Sequence, residues 1–362
     1  MDFKDLSFQR QQNQQILGSD FTEIDQLVKH FGAIQAQDYP MAKWAIGSRL
    51  HTISDSDVDA AIAEGKIVRT HVLRPTWHFA CADDIGWMLD LTAKNIRGQM
   101  AANDRKLGLD EKVYHKSFKL IENALADGHL SRAELMEILE FNGIRTHEYR
   151  SAHIMVAAEL EGLVVSGGRR GKEHGYALMS QHVRNPRKLS REEALSELAR
   201  TYFKSHGPAT IKDFQWWSGL NQTDCRKGIS ANGKLLQSTQ IEGQTYYFSE
   251  ENESVKTKSV QLLPAFDEFL IAYKDRSASI DPVHNRHAFT SNGIFRPLLV
   301  VDGQVCGIWK RSTKKDAVSI DVEMMVKIPK NRQAEIGKAA KRFADFLGLE
   351  AKISLNANDF SR

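Results

Sequence analysis

Apolar positions along this chain fall into an order that recurs. In "HKSFKLIENALADGHLSRAELMEILEFNG", from His115, their spacing predicts two helices. The second opens on a capping box, Ser131 with Glu134 three residues on. "EYRSAHIMVAAELEGL" predicts a third helix, closed by Gly162. The pattern then changes: "LVVSGGRRGKEHGYALM" reads as a β-rich run, a glycine-rich basic tip and a second short strand. Three helices followed by a β-hairpin are the winged form of the helix-turn-helix. Arg169, Arg170 and Lys172 fall at the wing tip, where phosphates are met.

The order appears twice more. "SREEALSELARTYFKSHG" predicts a capped amphipathic helix, "ATIKDFQWWSG" and "NQTDCRKGISANG" two others, and "LLQSTQIEGQTYYFS" a hairpin turning at Glu242-Gly243. A looser copy stands at the N-terminus. Its helices are "FTEIDQLVKHFG", "YPMAKWAIGSRL" and "SDSDVDAAIAEG", and its hairpin joins "KIVRTHVL" to "TWHFA" through Arg74-Pro75. The repetition carries more weight than any single copy. After Val260 the texture changes. "VQLLPAFDEFLIAY", "FRPLLVVDGQVCGIWKR" and "VSIDVEMMV" are strand-like, the second turning at Asp302-Gly303. "KNRQAEIGKAAKRFADFLG" is an amphipathic helix with a glycine stop. The expected fold class is α+β, with tandem winged-helix units over residues 1–110, 111–187 and 188–258. A β-rich C-terminal domain is expected over 259–362.

Composition narrows the class. At 362 residues the chain exceeds one compact core. It is 41% hydrophobic and 26% charged, and no apolar run approaches a membrane span, so no membrane partner is expected. The first residues lack the basic start and apolar core of a secretory signal. Cys81, Cys225 and Cys306 lie far apart without a CxxC, which argues against a disulfide framework and suggests a reducing compartment. The net charge of +3 is mild, but "SGGRRGKEHG", "RNPRKLSR" and "WKRSTKK" are basic clusters that modestly favour a nucleic-acid partner. No Walker loop, G-x-G-x-x-G or G-x-S-x-G occurs, and the histidines of "HEYRSAH" lie off one helical face. Neither a metal nor another cofactor is expected.

The chemistry concentrates in "FGAIQAQDYPMAKWAIG". Gln35 and Gln37 flank one small residue, and on an extended segment they point the same way. Two carboxamides on one face can fix a water, one end accepting and the other donating. From spacing alone the plainer reading is the favoured one, in which the glutamines bond to local backbone or solvent. Asp38 would cap a helix beginning near Pro40.

The segments "AIQAQDYPMAKWAIGSRL", "RTHVLRPTWHF", "HGPATIKDFQWWSGL", "LLPAFDEFLIAYKDRS" and "GIFRPLLVVDGQVCGIWKR" together resemble the winged-helix DNA glycosylases of the AlkZ type, in order and over nearly the whole chain. The resemblance implies a bacterial enzyme that removes bulky alkylated purines from double-stranded DNA and unhooks interstrand crosslinks. Its catalytic signature, Gln–small or apolar–Gln, matches Gln35-Ala36-Gln37. A sister branch carries Asp in the third place; here Asp38 stands one residue later. We therefore expect a monofunctional glycosylase for cationic N7-alkylpurines, with a Gln-positioned water and no lyase lysine. We expect a cytoplasmic, nucleoid-associated monomer.

Around the pair we place Arg69, His71, Arg74, Trp77 and His78, with an ordinary surface wing as the competing reading. "FDEFLIAYKDR" suggests a mutually paired cluster of charges, from which Lys274 and Arg276 reach phosphates. Trp216 and Trp217 point about 100° apart on a helix, one to the core and one to a rim. A non-catalytic winged-helix regulator, or a scaffold that binds protein, is the alternative. A regulator usually gains its two-fold symmetry by dimerising, whereas three unlike units on one chain suit wrapping around one duplex.

Overall fold

The computed structural model describes residue 3 and residues 5–170, 173–249 and 257–357, the side chains of 170 and 357 apart. The fold class is α+β, and one order of elements occurs three times. The helix Ile24–Phe31 buries Ile24, Leu27, Val28 and Phe31, the stripe expected of a core-facing helix. A short strand, Ala33–Gln35, follows, then the helices Tyr39–Gly47 and Asp55–Ala63 and the hairpin Ile67–His71 with Trp77–Cys81. The second run has helix Glu111–Leu125, strand Leu130–Ser131, helices Arg132–Phe141 and Arg150–Leu160, and strands Val164–Arg170 and Glu173–Leu178. The third has helix Arg191–Ser205, helices Ile211–Ser218 and Gln222–Ala231, and strands Gln237–Ile241 and Gln244–Phe248. There a single bridge, Ala209 to Tyr247, takes the place of the short strand. In the first two runs the short strand pairs antiparallel with the last strand of the hairpin, making a three-stranded sheet. The capping boxes at Ser131, Ser190 and Thr210 form as their spacing requires.

The C-terminal part is a five-stranded sheet in the order Glu350–Ala357, Ala317–Met324, Gln304–Thr313, Leu298–Val301, Val260–Leu263, packed on the helix Lys330–Leu347. Asp302 and Gly303 both have positive φ, 48° and 83°, as a two-residue type I′ hairpin turn demands. The expected strand from Val260 through Tyr273 does not form as one element. Phe266 adopts φ 58°, and Asp267 then caps a short helix, Glu268–Ile271, so the apolar run is half strand and half helix.

The units share their cores. Trp44, Ile46, Phe79 and other first-run residues bury in one cluster with Leu299, Trp309 and Phe343 of the C-terminal part. A long helix absent from the sequence expectation, Ile85–Lys106, packs in a second cluster with Tyr202, Phe214 and Trp217 of the third run. The second run has a cluster drawn mainly from its own residues. The first run is therefore held between the third run and the C-terminal sheet. Its segment after Gln35 lies where they meet.

Candidate active site at the Gln-Ala-Gln segment

Gln35 ends its strand opposite His78, and Ala36 extends the pairing by donating its N–H to Trp77 O at 2.7 Å. Gln35 is 4% exposed. Its backbone N–H donates to Glu268 Oε1 at 2.8 Å, and its side-chain Oε1 accepts from Arg74 Nη2 at 2.8 Å. The Ala36 carbonyl accepts twice from Arg69, from Nε at 3.0 Å and Nη2 at 2.9 Å. Gln37 is exposed, and its Oε1 accepts from Trp77 N at 3.4 Å. Asp38 accepts from Met41 N at 3.2 Å and caps the next helix, with Pro40 in the first turn. Both carboxamides are thus anchored by the turn of the first hairpin. Arginine and backbone N–H groups only donate, so they decide which end of each carboxamide is oxygen. Among the described residues, nothing accepts from the amide nitrogen of either glutamine.

The hairpin residues divide by strand face. Arg69 and His71 alternate with Thr70, and Arg69 lies 4.1 Å over the Trp77 ring. His71 Nδ1 donates to Glu159 Oε2 at 2.6 Å, and His71 N donates to the same oxygen at 3.0 Å. Both Arg69 and His71 are buried and brace the segment rather than offering a free surface. His78 has no exposed surface. Burial, with Arg74 nearby, holds its imidazole well below the usual range, so it is neutral. A phosphate contact from His78 is incompatible with this burial.

Beyond Arg74 lies a cationic rim. Trp217 is fully buried while Trp216 is half-buried, dividing core from rim as their angular offset requires. Arg74, Lys274 and Arg276 lie 5.8, 4.8 and 5.5 Å from the centre of the Trp216 ring. Among the described residues, none of the three forms an ion pair with a carboxylate. Gly219 allows this approach. It closes the Trp216 helix at φ 69°, where a Cβ would come within 2.2 Å of the Leu73 carbonyl. Arg169, in the second hairpin, is exposed and lies 3.4 Å from Asp59. Arg170 is in the same strand, and Lys172 lies outside the described residues. No group of three metal-ligating side chains is found among the described residues.

A family model described as DNA glycosylase AlkZ-like matches residues 28–346. The chain belongs to that family. Among the relatives of this AlkZ-like glycosylase is an interstrand DNA cross-link repair glycosylase from Streptomyces sahachiroi. It is 24% identical over 293 residues, covering 76% of this chain and 79% of the relative. The solved structure of Streptomyces sahachiroi DNA glycosylase AlkZ superposes with a TM-score of 0.79, at 21% identity, over 98% of this chain and 100% of that one. At that identity the likeness establishes the shared fold.

Two carboxylates of this AlkZ-like chain escaped the sequence reading as site residues. Glu268 is 1% exposed. Besides Gln35 N, it accepts from Trp217 Nε1 at 3.2 Å, and His206 Nε2 lies 3.4 Å away. Glu159 is fully buried behind His71. The expected mutual pairing within "FDEFLIAYKDR" also gives way. Asp267 is gripped by both Nη atoms of Arg49, at 2.9 and 3.0 Å, because both groups are buried and each needs a counter-charge.

Proposed function

We propose that this AlkZ-like chain is a monofunctional DNA glycosylase that hydrolyses the N-glycosidic bond of cationic N7-alkylpurines, with Gln35 and Gln37 positioning the attacking water. The observation that carries the reading is the anchoring of both carboxamide oxygens, by Arg74 and by Trp77 N, with both amide nitrogens left unbonded among the described residues. A carbonyl oxygen has two lone pairs, so each anchored carboxamide keeps one acceptor site and its donors for a water. An N7-alkylated purine already carries positive charge. When its C1′–N9 bond breaks, the bonding electrons go to the base, which leaves neutral. The enzyme then has to stabilise an oxocarbenium-like sugar and direct water to C1′, and oriented dipoles do both without a general acid. The water's second proton passes to solvent.

In this reading the three repeated runs are winged-helix units over 1–110, 111–187 and 188–258, followed by the domain over 259–362. They wrap one duplex as a monomer at the bacterial nucleoid. Lys274 and Arg276 meet the phosphates beside Gln35, and Arg169, Arg170 and Lys172 meet them farther along. Crosslink unhooking, the activity in the name of the Streptomyces relative, belongs to the same proposal. The test is incubation with duplex containing N7-methylguanine, then alkaline scission. Strand breaks at the lesion are expected, and their absence at excess enzyme refutes the assignment.

A further inference from the structure

Three polar atoms of the first hairpin, Arg74 Nε, Thr76 Oγ1 and His78 Nε2, are buried without a hydrogen-bond partner among the described residues. Native folds rarely leave such atoms bare, and a group of them marks a place built for water or substrate. His78 is the best defined of the three. Its Nδ1 lies 2.9 Å from the Thr76 carbonyl oxygen. A carbonyl only accepts, so the ring proton sits on Nδ1 and the lone pair on Nε2. His78 also stands directly opposite Gln35 in the strand pairing. The next pair, Ala36 and Trp77, is joined by an N–H to O bond, so Gln35 and His78 form a pair of the non-hydrogen-bonded kind. Gln35 N–H accordingly turns outward, to Glu268. Residues paired in this way carry their side chains on one face, with Cβ atoms about 4.5–5.5 Å apart. The unbonded amide donor of Gln35 and the unbonded acceptor of His78 therefore share one face of the sheet.

We propose that His78 is the general base of the hydrolysis: its Nε2 accepts a hydrogen bond from the attacking water and takes the proton as the C1′–O bond forms. The proposal rests on the glycosylase reading above. The water accepts from the Gln35 amide, donates to His78 Nε2, and keeps one lone pair for C1′. As that pair bonds to C1′, the electrons of the C1′–N9 bond leave with the purine. The electrons of the broken O–H bond stay on oxygen, and the proton goes to Nε2 and from there to solvent. Burial first, then Arg74 and His71, holds the imidazole well below its usual range, so it is unprotonated and ready to accept at neutral pH. Weak basicity is no obstacle, because a water bonding to an oxocarbenium ion becomes a strong acid. The Thr76 carbonyl orients the ring and meets its Nδ1–H when the ring becomes charged, as the third group does in other arrangements of a base and its orienter.

The test is single-turnover excision of N7-methylguanine from duplex, with enzyme in excess. In His78→Asn the amide nitrogen replaces Nδ1 and keeps the bond to Thr76 O, while the Nε2 acceptor is lost. This variant should bind the lesion duplex and melt in urea as the wild type does. It should excise about 100-fold or more slowly, the scale of a positioned base. His78→Ala should be as slow, and sodium azide should restore its rate, because an anionic nucleophile has no proton to lose. The sugar released by that variant should carry azide at C1′, read by mass spectrometry. Azide should leave the wild-type rate unchanged. His78→Asn at the wild-type rate, or His78→Ala that azide does not accelerate, overturns the base and leaves the glycosylase reading standing. If His78→Asn melts early, the azide arm decides alone, since azide does not mend a folding defect. A wild type that does not excise sinks both readings.

Discussion

Replacing each glutamine by alanine should separate catalysis from folding, because the two side chains sit in unlike surroundings. Gln37 is exposed, and its only side-chain bond among the described residues is the long one from Trp77 N, 3.4 Å. Gln37→Ala should therefore change stability by less than about 0.5 kcal/mol, the usual scale for surface substitutions. Gln35 is buried and satisfies Arg74 Nη2, and Arg74 Nε is already buried without a partner. Gln35→Ala strands a second donor of the same guanidinium, which costs about 1–3 kcal/mol. Both variants should lose the oriented dipole at the reaction centre, about 2.7–4 kcal/mol or roughly two to three decades in rate. The assay is single-turnover excision of N7-methylguanine with enzyme in excess, read beside urea melts and duplex binding. The expected outcome is Gln37→Ala slow but as stable as wild type, and Gln35→Ala slow and less stable. If Gln37→Ala excises at the wild-type rate while binding normally, Gln37 does not hold the water. If it melts early and keeps its rate, its carboxamide serves the backbone alone.

Other outcomes follow from the same geometry. Arg49→Met leaves the Asp267 carboxylate buried and unpaired, and should lower stability by about 3–5 kcal/mol in a urea titration. Burial holds the His30 imidazole at about 4 in the folded chain against 6.5 when free, so the unfolded chain binds the extra proton between those values. Stability should therefore be full above about pH 6.5 and fall as the pH drops toward 4, and His30→Gln should make that fall shallower. Undamaged duplex should bind weakly, with affinity falling steeply as salt rises. Lys274→Ala should reduce the slope of log affinity against log salt by about 1. A slope that is already flat in the wild type would remove the phosphate contacts.

Legibility tracked the range of each interaction. The capping boxes at Ser131 and Ser190 and the turns at Glu242-Gly243 and Asp302-Gly303 lie within four residues, so the sequence displays them whole. The short strands Ala33–Gln35 and Leu130–Ser131 are too brief to show a period and exist because a hairpin pairs with them. The strand Glu350–Ala357 is partly exposed and forms by parallel pairing with Ala317–Met324. Helix Ile85–Lys106 carries Gly86 and Gly98, and its buried residues thin out after Ile96, which blurs its stripe. At the site, the glutamines were visible as a spacing and through the family resemblance. Glu268 bonds a residue 233 positions away and Glu159 one 88 positions away; Glu159 follows an apolar run with no distinguishing pattern, and Glu268, beside Asp267, reads as one of a set of paired charges.

The charges around Trp216 explain why this site is left costly. Asp267 and Glu268 are buried a few residues before Lys274 and Arg276, yet Asp267 pairs with Arg49, and Glu268 serves Gln35 N and Trp217. Among the described residues, no carboxylate closes on Arg74, Lys274 or Arg276. Burial, with Arg74 adding repulsion, pushes the Arg276 guanidinium down to about 10, although Asp213 and Asp275 act against it. A fold selected for stability alone would put an acid among such cations or replace them with apolar residues. Local rules are broken mainly where function requires it. A phosphate drawn to this rim would supply the missing counter-charge beside the very arginine that orients Gln35. Binding the duplex backbone and ordering the carboxamide would then draw on the same guanidinium.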